Sequence, residues 1–318
     1  MSEAVVEQCD PREREMEIRA LFARNGQAQF DAVFERAYRP RAADGLRSWI
    51  GRLGDDAVMH ISVTPMRFTG GGRTLMGGVL GDLMADEPYR DFWSPVRLLR
   101  AMVADLKRAG EVDFLFTTTV ADAEPVFKAG GFKPFGTLRR YVLPLSRTYR
   151  AVARLRGRVA RHRATPCQAH NVVSGDASPP YGTGHWRPQS DEAYYATRIP
   201  RLDFADATWL AIGRDARGCA LVCRHQERPE LTLADAFWNE DGVGLGEVVH
   251  AAGRWGHGQR LSRLSVTTLQ ETRVARQLER AGFFARDATS KLLMQPLGPN
   301  TPPPVDDLFL PSFALTSW

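Results

Sequence analysis

Residues 77–106, GGVLGDLMADEPYRDFWSPVRLLRAMVADL, read as a strand, a polar turn and a helix with a marked start. Leu80, Leu83 and Met84 lie in the strand, and Asp86-Glu87-Pro88 breaks it. Ser94 is placed as an N-cap and Pro95 suits the first helical position. Leu99, Met102, Val103 and Leu106 recur at helical spacing. A strand that delivers the chain to an open helix start aims unpaired backbone N–H groups and a positive dipole end into a cleft. Such an end suits phosphate, and Arg90 just upstream adds a full charge. The same pattern also serves an ordinary strand–helix unit that binds nothing.

Outward from this stretch, two helices are expected before it, EMEIRALFARNG and QFDAVFERAYR, with Ile18, Leu21 and Phe22 on one apolar face and Phe30, Val33, Phe34 and Tyr38 on another. SWIGRLGDD leads into a strand, AVMHISVTPMRF, in which Val58, His60 and Ser62 point one way and Met59, Ile61 and Val63 the other. GGGR at 70–73 is a turn. After the helix, Gly110 is placed as its C′ residue. EVDFLFTTT is a strand, Asp122 caps a short helix that ends at Gly130-Gly131, and FGTLRRYVLPL is a further strand. This order defines an α/β layer domain over residues 1–145.

Residues 146–190 read as a linker. Seven arginines lie between Arg147 and Arg163 on a predicted helix, and a Pro/Gly/Ser-rich connector follows. A basic helix of this kind suits weak contact with an anionic membrane or a plain solvated surface. No nucleic-acid motif accompanies it, so no nucleic-acid partner is expected. A second domain over 191–298 repeats the first. Val266-Thr267-Thr268 ends a strand as Thr117-Thr118-Thr119 does, and RVARQLERAGFF matches AEPVFKAGGFK with Gly282-Phe283 on Gly131-Phe132. Residues 299–318 form a Pro-rich tail whose aromatic end is expected to pack back.

The composition bounds the rest. The 318 residues suit two domains and 43% hydrophobic content supports real cores. The charged N-terminus and the absence of a long apolar run make the cytoplasm the default location. Cys9, Cys167, Cys219 and Cys223 show no metal or disulfide spacing and read as reduced thiols. Net charge is +5, and with only Lys107, Lys128, Lys133 and Lys291 as lysines it rests on arginine, which suits anionic ligands. His250 and His257 share a helix face without a third ligand, so no metal site is expected. Hydrolase, zincin and NTPase motifs are absent.

Strand–turn–helix–strand followed by a short helix, Gly-Phe and a strand resembles the GNAT superfamily of acyl-CoA-dependent N-acyltransferases. The resemblance covers 50–145 and, less fully, 205–297. It implies two GNAT-like domains in tandem, each a mixed, mainly antiparallel sheet flanked by helices. It implies acetyl-CoA or another acyl-CoA as co-substrate and a small-molecule amine, an amino sugar or an amino acid, as acceptor. The family's loop Arg/Gln-x-x-Gly-x-Gly/Ala is matched by Arg90-Asp91-Phe92-Trp93-Ser94-Pro95, which keeps the Arg and loses both small residues. Leu83, Met84, Ala85, Arg90, Asp91, Phe92, Trp93 and Ser94 are thereby assigned to coenzyme A, with the amides of Met84 and Ala85 on the thioester carbonyl. The family's acid Tyr falls at Phe127 and its Asn at Val120, and in the second half the Tyr position is Leu278. The second half has the small-residue loop Gly242, Gly244, Gly246, preceded by Asp241.

An acceptor amine must lose a proton, and Asp82, Asp86 and His60 are the candidate bases. Each has a structural reading too: Asp82 bonding backbone, Asp86 capping the turn, His60 satisfied within the sheet. The alternatives are a non-catalytic tandem module, or an acyltransferase that uses acyl carrier protein or a lipid-linked acceptor.

Overall fold

Alternation of apolar and polar side chains through residues 47–85 builds the first strands into a meander. The computed structural model describes residues 4–27, 30–43, 45–119, 121–147, 149, 161–167, 185–189, 195, 204–213, 218–238 and 242–310. The stretch read above only as a charged N-terminus holds a strand, β1 (Val5–Cys9), antiparallel to β2 (Arg47–Leu53). Between them come α1 (Glu15–Arg24), α2 (Phe30–Val33), a π-helical turn (Phe34–Tyr38) and α3 (Arg39–Ala43). Their apolar face, Ile18, Phe22, Phe30, Phe34 and Tyr38, is buried against Ile50 and Ala57 on one side of the sheet.

The next strands, β3 (Asp56–Gly70) and β4 (Arg73–Ala85), form a long hairpin. Gly71 and Gly72 close it at φ 53° and 71°, the pair of positive values that a two-residue turn matched to strand twist requires. An irregularity in β3 between the partners of Gly51 and Arg52 sends Val58 into the same cluster as Met59 and Ile61, not to the face of His60 and Ser62. On the far side of the sheet lies α4 (Trp93–Ala109), which buries Leu98, Leu99, Met102 and Leu106 against Ile61, Val63, Leu80 and Leu115. Full burial of such side chains contributes about 1.5–3 kcal/mol each. Gly110, left-handed at φ 66°, ends the helix as expected. Then come β5 (Phe114–Thr119), α5 (Glu124–Ala129) and β6 (Lys133–Pro144). No side chain caps α5, so Asp122 does not play the role assigned to it.

The linker stretch holds two short strands, β7 (Ala164–Cys167) and β8 (Arg187–Pro188). The arginine-rich helix expected over 147–163 falls almost wholly outside the described residues. The second half supplies β9 (Phe204–Ile212), β10 (Gly218–His225), β11 (Glu230–Phe237), α6 (Leu245–Gly258), β12 (Arg263–Leu269), α7 (Arg273–Arg280) and β13 (Phe284–Pro296). Its core packs α6 and α7 on Leu233, Leu264 and Val266. The tail returns to the sheet: Leu308, Phe309 and Leu310 are buried, and Trp186 N donates to Asp307 O. The final eight residues lie outside the described set.

The thirteen strands among the described residues belong to one mostly antiparallel sheet. The path runs β1-β2-β3-β4-β5-β13-β6-β12-β11-β10-β9-β7, with β8 on β3. The halves are interlocked. The last strand of the second half, β13, lies beside β5, while β6 of the first half lies beside β12. The two exchanged strands pair antiparallel at the centre. The repeated Gly-Phe turns also coincide: Gly131 and Gly282 sit at φ 102° and 97°, and Phe132 and Phe283 are buried. Left-handed backbone of this kind suits glycine.

Because neither half owns a complete sheet, both should unfold together. Leu293, fully buried on β13, packs into the core of the first half. Leu293→Ala should cost about 2–5 kcal/mol. Urea titration followed by tryptophan fluorescence should give one transition at a lower midpoint. Two separated transitions in the wild-type chain would contradict the interlock.

Candidate active site

The parallel pairing of β4 with β5 lasts for three residue pairs, Gly77↔Phe114, Gly78↔Leu115 and Val79↔Phe116. Beyond Val79 the strands part. A β-bulge coincides with the parting: between the pairs Ser62↔Gly81 and His60↔Met84, β4 carries one more residue than β3. Asp82 sits on it at φ 57°, an uncommon value for a residue with a side chain.

Two buried side chains hold the bulge. His60 Nδ1 lies 3.0 Å from Asp82 O and Nε2 lies 3.1 Å from Ser48 Oγ. A carbonyl oxygen only accepts, so Nδ1 carries the proton and Nε2 accepts from the Ser48 hydroxyl. Burial pushes the His60 pKa down to about 4, which keeps the ring neutral. Both nitrogens are engaged and the ring is fully buried, so His60 is the satisfied sheet histidine of the structural reading. Asp82, in contrast, is half-buried. Tyr38 donates to its Oδ2 at 2.6 Å, Ser62 Oγ stands at 3.5 Å, and Oδ1 accepts no hydrogen bond from the described residues. Burial raises the Asp82 pKa, opposed by Tyr38 and by Arg41 nearby.

Past the parting, Gly81, Asp82, Leu83, Met84 and, opposite them, Thr118 are all partly accessible. A central strand with this much accessible surface borders a gap. Asp86 N donates to Val58 O across to β3. Strand alternation therefore turns the N–H and C=O of Ala85 toward the gap and the N–H of Met84 toward β3. Of the two amides assigned to a thioester carbonyl, only that of Ala85 faces the right way.

The turn after β4 differs from the sequence reading. Asp86 accepts from Arg24 Nη2 at 2.9 Å and from Asn25 Nδ2 at 2.8 Å, which ties α1 to the end of β4. Its carboxylate is committed to those groups. Arg90 donates from Nε to Ala85 O at 3.0 Å and from Nη2 to Asn25 Oδ1. At the start of α4 the cap is Asp91, not Ser94. Its Oδ1 accepts from Trp93 N at 2.8 Å and Ser94 N at 3.0 Å, and its Oδ2 from Ser94 Oγ at 2.5 Å. The Ser94 contacts hold the Asp91 carboxyl below its ordinary range. Phe92 and Trp93 are exposed, their rings edge to face at 5.1 Å. Phe127, at the family's acid position, is buried edge to face on Phe132.

The second half has the same skeleton. Three parallel pairs, Glu230↔Arg263 to Thr232↔Ser265, precede the parting of β11 from β12, and a bulge lies between Leu221↔Asp235 and Val222↔Leu233. Asp235 then occupies the position of Asp82. Tyr195 donates to it as Tyr38 does to Asp82. Asp235 Oδ1 also accepts from Arg187 Nη2 at 2.9 Å and from Ala236 N at 2.7 Å, so both oxygens are taken. Leu233 to Trp238 are all buried, and Phe309 from the tail packs edge to face on Trp238. The helix start at Gly244 has no side-chain cap, but it opens beside a packed strand.

As partners of these acids Tyr38, Arg24, Asn25, Tyr195 and Arg187 escaped the sequence reading, which placed Tyr38 only on an apolar helix face, since each reaches its acid across more than 35 residues. One signal was present for the acids: Leu80-Gly81-Asp82 and Leu233-Ala234-Asp235 occupy matching places in the repeat. Elsewhere a cavity of about 360 Å³ lies between β9, β10 and the end of α6, lined by none of these residues. Among the described residues, no three His, Cys, Asp or Glu side chains are grouped to hold a metal ion. No described helix is long and apolar enough to cross a membrane.

Parted strands, a bulge at the parting and a helix start beyond it define the GNAT class of fold, here in tandem. Solved structures agree. A conserved protein of unknown function from Enterococcus faecalis V583 superposes with a TM-score of 0.67 at 9% identity, over 93% of this chain and 73% of that one. A GCN5-related N-acetyltransferase from Anabaena variabilis gives 0.65 at 9% identity, over 92% and 73%. A tandem GNAT protein from the clavulanic acid biosynthesis pathway gives 0.50 at 15% identity, over 93% of this chain and all of that one. The likeness at these identities is one of fold. No family model and no curated protein matches the sequence.

His60 yields a pH prediction. Its folded pKa of about 4 lies below the ordinary value near 6.5, so between the two the unfolded chain binds a proton that the folded chain does not. Stability should be complete above pH 6.5 and fall by at most about 3 kcal/mol as pH drops toward 4. Urea midpoints measured across that range should show this slope in the wild type and lose it in His60→Gln.

Proposed function

We propose that the chain is an acyltransferase that moves an acyl group from a pantetheine thioester, supplied by acyl-CoA, to a small-molecule amine, and that it does so in the first half. The observation that carries this reading is the contrast between Asp82 and Asp235. The two acids share a position and a tyrosine partner. Only Asp82 keeps a free oxygen beside an accessible strand edge.

Roles follow from placement. The gap between β4 and β5 suits an extended thioester arm, which would pair with exposed strand backbone. The amide of Ala85 faces that gap and can stabilise negative charge on a thioester carbonyl oxygen. Asp82 Oδ1 takes the proton that the attacking amine gives up as its nitrogen bonds to the carbonyl carbon. The carbon–sulfur bond then breaks and the thiolate takes a proton from water. Phe127 stands where the resemblance places an acid tyrosine, and a thiolate is a leaving group that needs little acid assistance, since thiol pKa values lie near 8.5.

Thiol release from acetyl-CoA over a panel of amines tests the reading. Asp82→Asn should lower turnover by about 10²- to 10⁴-fold with the thioester KM unchanged. The rate should rise with pH through a pKa above the ordinary aspartate value, because the base acts deprotonated and burial raises its pKa. Turnover that survives Asp82→Asn would remove the base assignment.

A second reading, a tandem module without transfer activity, draws on Asp91 at the helix start and Phe127 in place of the acid. Calorimetric binding of acetyl-CoA with no thiol released on any amine would favour it.

A further inference from the structure

We infer that the first half recognises its donor by the pantetheine arm alone and leaves a nucleotide diphosphate unbound. This rests on the acyl-transfer reading and narrows its substrate class. A helix start grips phosphate with free N–H groups and a nearby cation. Here the chain has already used both. The first amides of α4, Trp93 N and Ser94 N, donate to one oxygen of Asp91, and the Ser94 hydroxyl donates to the other. That carboxylate is held ionised over the donors a diphosphate would need, so it repels an anion as well as occupying them. Arg97 Nη2 is directed at Ser94 Oγ at 3.3 Å and bears on the same carboxylate.

Arg90, a second cation of this turn, is engaged at the mouth of the gap. Its guanidinium bridges Ala85 O and Asn25 Oδ1, and Asn25 in turn donates to Asp86, which Arg24 also holds. Freeing Arg90 for phosphate would leave Ala85 O and Asn25 without their donor. The strand edge shows no such closure, since Gly81 to Met84 remain partly accessible. The arm has a seat and the nucleotide has none. Pantetheine thioesters, whether free or borne on a carrier protein's phosphopantetheine, are therefore the donor class.

The test compares acetyl-CoA, acetyl-4′-phosphopantetheine, acetyl-pantetheine and an acetylated phosphopantetheinyl carrier protein with one amine. The three small donors should agree in kcat/KM within about tenfold, less than about 1.4 kcal/mol of recognition for the nucleotide. The carrier arm separates a protein-borne source from a free one. Adenosine 3′,5′-bisphosphate should not compete with the wild type at millimolar concentration but should compete in Asp91→Ala, where the amides are freed. A preference above tenfold for acetyl-CoA over acetyl-pantetheine, or competition by the bisphosphate in the wild type, overturns the inference and leaves acyl transfer standing. Release of no thiol from any donor overturns both.

Discussion

At the centre of the sheet β13 and β6 run antiparallel, each bonded on its outer side to a strand of the opposite half. This pairing is the constraint on which the remainder depends. It gives β5 and β12 a neighbour on one edge, so each can part from its parallel partner, β4 or β11, on the other. Without the exchanged strand, each parted strand would hang on three pairs and an exposed edge, a poor arrangement for a sheet. The gap that the proposed chemistry needs is thus held open by chain from the other half.

The same skeleton is put to two uses. In both halves a bulge after the parting places an aspartate against a tyrosine. Around Asp235, Arg187 and the Ala236 amide complete the set of partners, and Phe309 and Trp238 pack the neighbouring space. A buried carboxylate with all its lone pairs engaged stabilises a fold and has nothing left to offer a ligand. Around Asp82 one oxygen is left over; burial raises the pKa of both acids, so the unengaged oxygen beside an accessible strand is what sets Asp82 apart.

The turn after β4 shows how two groups of one charge type separate by environment. Asp86 and Asp91 are five residues apart, and neither is free. Arg24 and Asn25 hold the first, while the backbone amides of α4 hold the second. Helix-start amides prefer the carboxylate that is nearest in sequence, because closing so short a loop costs little entropy. Residue type alone gave no means of choosing between Ser94 and Asp91 as that cap.

The strands from β3 to β6, the α4 face and the Gly110 stop were legible in the sequence, because side-chain period and turn chemistry are local properties, whereas β1, β7 and β8 were not. The repeat was legible too, through Gly131-Phe132 and Gly282-Phe283, where left-handed backbone demands glycine. The exchange of β6 and β13 was not, since strand partners more than a hundred residues away leave no period to read. For the same reason His60 and Asp82 could be picked out as chemistry-bearing residues but not sorted, and Asp235 was not picked out at all. Their roles follow from which donors reach them, and Ser48, Tyr38 and Arg187 reach them only once the chain has folded.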